Sequence, residues 1–164
     1  MITIKIKSKK VVLILILIII LIMIFLIGFS QSFKHPIKPP ELKITSDKVS
    51  FLAVKNEYNW FENTGSTNLG TYSIEKAKSI KGYKIGKGQI IRLELTSNKG
   101  LKEFNVKKVE GTSIYDYNIT DITTETSFIA PEQPGEYIYQ VDAFWDDTHS
   151  IQYVFKVFVS NLNN

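Results

Sequence analysis

The chain has 164 residues, with 20 lysines and arginines against 16 acids, two histidines and no cysteine. That length holds one sizeable core and no second large domain, and the missing cysteine rules out disulfide staples, a thiol nucleophile and a thioether-linked lipid anchor. The formal charge of +4 hints at a polyanion partner only until it is located. Lys5, Lys7, Lys9 and Lys10 supply four basic residues within the first ten positions, which hold no acid, and the remainder carries sixteen of each sign. A neutral remainder without a basic stripe has no electrostatic footprint for nucleic acid.

Those lysines lead into seventeen uninterrupted apolar residues, Val11 to Ile27. Extended through Phe29, the run is about 28 Å long as a helix, close to the thickness of a bilayer core. A chain of this size has no core able to bury such a helix on all sides, so residues 11–29 are expected to span the lipid bilayer. Four lysines before the run and only Lys34 and Lys38 soon after it place residues 1–10 in the cytoplasm and the rest outside. The apolar core exceeds the ordinary length of a cleaved signal peptide, which favours a retained signal anchor. Gly28-Phe29-Ser30 is a small-x-small triplet, so cleavage after Ser30 stays open.

Residues 30–41 contain Pro36, Pro39 and Pro40, and fixed proline φ angles predict an extended, semi-rigid spacer. Residues 42–160 form the expected folded domain, and 161–164 a tail. Lys48 to Lys55, with Phe51, Ala53 and Val54, reads as the first strand. Ser73 to Ile80 has helical propensity over one or two turns. Gln89 to Thr96 alternates, with Ile91, Leu93 and Leu95 on one face and Arg92 and Glu94 on the other. Leu101 to Val109 is a weaker strand with Phe104 and Val106 inward, followed by short strands at 115–122 and 126–130. The clearest alternation is Tyr137 to Trp145, answered by Tyr153 to Val159 across the polar cluster Asp146-Asp147-Thr148-His149-Ser150. Two alternating runs joined by a polar loop predict an antiparallel hairpin. Strands every 8–12 residues with turn signals between them predict an all-β antiparallel sandwich preceded by one transmembrane helix.

The stretch Phe128-Ile129-Ala130-Pro131-Glu132-Gln133-Pro134-Gly135-Glu136-Tyr137 resembles the corner of bacterial immunoglobulin-like and PKD-like domains. There a Pro-Gly-x-Tyr sequence turns between sheets into the penultimate strand. The resemblance implies an Ig-like sandwich in which the Tyr137 ring packs inside while its hydroxyl bonds backbone at the corner. More broadly, residues 42–159 resemble small, uncharacterised, membrane-anchored extracytoplasmic domains of low-GC Gram-positive bacteria, whose Ile-, Lys- and Asn-rich composition this chain shares. Ig-like protease inhibitors of the chagasin type have a similar final hairpin. Their Asn-Pro-Thr-Thr-Gly loop has no match in Asn63-Thr64-Gly65, and their Arg-Pro-Trp loop is reduced to Phe144-Trp145.

No catalytic set stands out. His35 falls in the spacer, His149 alone makes no charge relay, and there is no Gly-x-Ser-x-Gly elbow. Asp146, Asp147 and His149 offer two or three metal ligands on one loop, but a solvated hairpin turn uses Asp in the same way, and a metal or hydrolase site needs ligands not in view. Neither a metal nor a cofactor is expected. Tyr58, Trp60, Phe144 and Trp145, with Asp146, Asp147 and His149, are the candidate binding surface. Trp60 and Trp145 also read as core plugs, and Phe144, Ile138 and Phe158 as an outward apolar patch. The expectation is a non-catalytic module that meets a protein or cell-wall polymer, with a metal-dependent hydrolase at 146–149 and a protease inhibitor as rivals.

Overall fold

A computed structural model of the chain describes residues 9–31, 34–61 and 66–161. It comprises two compact units, Met1–Lys34 and His35–Asn164. In the first, α1 (Lys9–Gln31) is a continuous helix of 23 residues. Its side chains from Val11 to Ile27 are all exposed. No helix among the described residues is long and apolar enough to cross a membrane. The span expected at 11–29 therefore rests on the sequence and not on the fold.

The second unit packs two β-sheets around one core. Its elements are β1 (Leu42–Ser46), β2 (Val49–Leu52), β3 (Val54–Trp60), β4 (Ser66–Asn68), α2 (Ser73–Ser79), β5 (Gly82–Gly86), β6 (Ile90–Leu95), β7 (Glu103–Ser113), β8 (Asp116–Thr123), β9 (Ser127–Ile129), β10 (Gly135–Asp146) and β11 (His149–Ser160). The smaller sheet has the order β2-β1-β6-β9. The larger runs β4-β3-β11-β10-β7-β8, and β5 joins β11 as well. All pairings are antiparallel except β5 with β11. β11 is long enough to serve two neighbours on one edge, β3 along its first half and β5 along its second.

The alternating residues of the late hairpin face inward as their period requires. Tyr139, Val141, Ala143 and Trp145 from β10 meet Ile151, Tyr153, Phe155, Val157 and Val159 from β11, and the other wall supplies Leu42, Ile44, Phe51, Ile91 and Leu93. β10 and β11 lie side by side in the middle of the larger sheet. Phe104 and Val106 are buried, whereas Arg92 and Glu94 are exposed. α2 forms over Ser73–Ser79 and buries Ile74 and Ala77 against β7, β10 and β11.

Three expectations require correction. The first strand is β1, not Lys48 to Lys55; five residues with two apolar positions give little period to read, yet Leu42 and Ile44 are fully buried. The stretch 48–55 is not one strand either. It breaks at Ala53, whose N–H still bonds Leu42 O on the smaller sheet at 2.9 Å, while β3 beyond it pairs with β11 on the larger one. The hairpin turn shrinks to Asp147 and Thr148, because Asp146 pairs directly with His149 and a bulge absorbs Trp145. The folded unit also reaches back into the expected spacer. Pro39 O accepts from Lys55 Nζ at 3.0 Å and Pro40 O from the Tyr153 hydroxyl at 2.9 Å.

Candidate functional site

The sequence-derived surface residues fall into three groups. Trp60 and Trp145 are each 1% exposed and meet edge to face at 5.1 Å, so both are core plugs and not part of a surface platform. Tyr58 is half-buried and packs on the core. Phe144 stands half-exposed on the outer face of the larger sheet. It does not form one patch with Ile138 and Phe158, because Gln140 and Asp142 intervene on the same face of β10 and α2 packs beside them.

Asp146, Asp147 and His149 mark the end of the hairpin. Asp147 is exposed in the turn and His149 is buried. Asp146 Oδ1 accepts from His149 Nδ1 at 2.7 Å and from Thr148 N and Oγ1, each at 2.9 Å. Partial burial raises the Asp146 pKa, but the bonds from His149 and Thr148 outweigh it and bring the value to about 2. Thr148 Oγ1 and Asp146 Oδ1 both meet the same ring nitrogen of His149. A relay needs nucleophile and carboxylate on opposite ring nitrogens, so this trio holds a turn together and does not pass a proton. His35, set aside in the sequence as a spacer residue, stacks on the His149 ring at 3.7 Å.

A second site, absent from the sequence reading, lies on the outer face of the larger sheet. Strand register places Glu57, Gln152, Asp142 and Asn105 in one row across β3, β11, β10 and β7. Two adjoining hollows of 320 and 360 Å³ share Glu57 and Gln152, and so form one groove. The first is walled by Tyr72, Tyr117 and Ile119, and the second by Phe144, Glu103 and Asn105. Tyr72 is 54% exposed and meets Tyr117 edge to face at 5.7 Å.

A strand irregularity builds the floor of this groove. Between β11 and β3 the register steps at Gln152 and Tyr153, so the pairing passes from Glu57 to Lys55 and skips Asn56. Bulges re-aim side chains in this way. Asn56 Nδ2 donates to Gln152 Oε1 at 2.7 Å and to Thr71 O, while Thr71 N donates back to Asn56 Oδ1 at 3.2 Å. Ser73 Oγ donates to Gln140 Oε1 at 2.6 Å, and Gln140 Nε2 reaches both oxygens of Asp142 at 2.9 and 3.0 Å. Lys107 Nζ closes the chain on Asp142 at 2.8 Å. That hydrogen bond raises the Lys107 pKa against the opposing effect of burial. Residues 71–73 are thus pinned by side chains of the sheet, and Tyr72 is presented between two fixed neighbours. Glu57 and the outer amide of Gln152 remain to accept from and donate to a ligand.

No family model matches the chain, and no curated protein matches it. Among solved structures it is similar to the extracellular domain of a bacterial hybrid two component system, BT3049 from B. thetaiotaomicron, at 9% identity and a TM-score of 0.35. The similarity covers 74% of this chain and 15% of that chain. At that score it carries no argument about fold or activity.

Proposed function

We propose that the chain is a membrane-tethered, extracytoplasmic and non-catalytic binding module with an immunoglobulin-like sandwich, and that its outer-face groove takes an uncharged glycan. The observation that carries this reading is the groove itself. Aromatic Tyr72, Tyr117 and Phe144 offer flat apolar faces to sugar C–H groups, and a row of Glu57, Gln152, Asp142 and Asn105 offers planar acceptors and donors to hydroxyls. Three carboxylates among these wall residues, Glu57, Glu103 and Asp142, disfavour a polyanion such as a phosphate-linked wall polymer. Concave, partly apolar sites of about 300–1,000 Å³ with a few convergent polar groups are the usual form of a ligand site.

The tether rests on the sequence alone. α1 measures about 34 Å at 1.5 Å per residue, is apolar on every side from Val11 to Ile27, and follows lysines that favour the cytoplasmic side. A helix of that kind is stable in lipid and not in water. The hydroxyl bond at the Tyr137 corner, the central β10–β11 pair and the lack of a proton relay at His149 support the Ig-like, non-catalytic assignment.

Calorimetry of the detergent-solubilised chain against soluble neutral polysaccharides, with an anionic wall polymer alongside, tests the ligand. Binding that weakens at least about tenfold in Tyr72→Ala and Gln152→Ala is expected. Binding confined to anionic polymers, or unchanged in both variants, would overturn it. A reporter active only outside the cytoplasm, fused after Asn164, tests the topology, and a silent fusion is the adverse result.

A further inference from the structure

We propose that His35, Asp146 and His149 form a site for a divalent transition-metal ion, zinc being the best match, and that the ion clips the proline-containing segment before β1 to the β10–β11 turn. The site shares no residue with the groove and does not depend on it.

The chain has only two histidines, and the fold brings them together from opposite ends of the domain. Their rings stack with centroids 3.7 Å apart and planes inclined by 27°. Asp146 joins them through its 2.7 Å contact with His149 Nδ1. One donor atom from each of the three residues lies within 4.8 Å of the other two. Stacked or edge-on ring pairs elsewhere in the core are made by Phe, Tyr and Trp. Here the stacked pair is histidine twice, and a carboxylate is held against it.

Strand pairing fixes two of the three ligands. His149 opens β11 opposite Trp60, whose ring meets it edge-on at 4.9 Å. The N–H and hydroxyl of Thr148 orient Asp146 Oδ1, each at 2.9 Å, and would keep orienting it when His149 binds an ion instead. His35 precedes β1 on a segment outside any strand, and Trp60 borders it at 6.2 Å. Zinc holds imidazole nitrogen and carboxylate oxygen at about 2.0–2.2 Å, which sets tetrahedral ligand atoms about 3.3 Å apart. The His149–Asp146 pair needs a small opening to reach that spacing, and His35 a rotation of its side chain toward them. His149 would bind through Nδ1 with its proton on Nε2, and water would complete four ligands. Two imidazoles and one carboxylate suit zinc and its transition-metal neighbours. Calcium and magnesium favour larger, all-oxygen sets.

Calorimetry of the full chain in detergent micelles with zinc chloride is the test. One ion per chain, bound at micromolar strength, is expected, with no response to magnesium or calcium. His35→Ala should weaken zinc binding at least about tenfold while circular dichroism stays unchanged, since the residue lies outside the sheets. Zinc should also raise the melting temperature of the wild-type chain and protect residues 35–41 from proteolysis, and do neither in His35→Ala. No saturable binding below millimolar zinc, or equal binding by His35→Ala, would overturn the assignment.

Discussion

The Tyr153 hydroxyl, buried in the middle of β11, donates a 2.9 Å hydrogen bond to the carbonyl of Pro40. The bond ties the last strand to a segment whose prolines read as a free spacer. Burial pushes the Tyr153 pKa well above the ordinary tyrosine value, so the phenol stays protonated and remains a donor through the physiological range. Tyr153→Phe keeps the ring and removes only the donor, leaving a buried carbonyl unpaired. A loss of about 1–3 kcal/mol is expected. Thermal denaturation of the two proteins checks it, together with faster proteolysis within residues 35–41.

Asp146 should make stability pH-dependent in a defined window. The folded state holds its carboxyl at about 2, against an ordinary value of 3.8. A depressed carboxylate pKa contributes stability above the unfolded value and loses it as pH falls through the folded one. The contribution of Asp146 is therefore complete above about pH 4 and disappears between about pH 4 and pH 2. Asp146→Asn removes it at every pH. The gap in melting temperature between wild type and Asp146→Asn should close as pH falls from about 4 towards about 2. A gap that widens between about pH 4 and about pH 2 would contradict the assignment.

Gly70 links backbone conformation to the groove. Its φ is +63°, and a Cβ there would lie 2.9 Å from Asn56 O and 2.8 Å from the Glu57 Cβ. Gly70→Ala meets both the left-handed penalty and a backbone that cannot step aside. A destabilisation of about 1–3 kcal/mol is expected. Because Gly70 and Thr71 lead directly into Tyr72, the same variant should bind glycan more weakly than its stability loss alone explains. Binding measured well below its melting temperature separates the two effects.

The late hairpin was legible because its alternation runs over whole strands, and Tyr137 was legible because a proline and a glycine announce its corner. Its hydroxyl bonds Gln133 O at 2.9 Å, as the motif implied. Trp145 is legible as core from its alternating strand, whereas Trp60 has no such pattern around it, and both candidates for the binding surface are only 1% exposed. What stayed hidden depends on contacts between distant parts of the chain. β5 has a short, glycine-bounded sequence, and only its parallel pairing with β11 makes it a strand. Asn56 becomes a groove residue through a register step that no local period encodes. His35 looked like spacer because the ring that stacks on it begins the last strand.

Asn56 and Tyr72 should separate folding from recognition. Asn56 is 1% exposed and bonds both Gln152 and Thr71, so Asn56→Ala takes a donor from Gln152 Oε1 and both side-chain bonds from the Thr71 backbone, and leaves a small cavity under the groove. A cost of about 2–3 kcal/mol is expected, with weaker glycan binding because Thr71 to Ser73 lose their anchor. Tyr72 is largely exposed and makes one edge contact, with Tyr117. Tyr72→Ala should therefore change stability by no more than about 0.5 kcal/mol, yet lose glycan affinity as strongly as Asn56→Ala does. Urea denaturation and calorimetry on both variants give the four numbers required. If Tyr72→Ala binds like wild type while Asn56→Ala does not, the aromatic wall is not the recognition element and the groove reading fails.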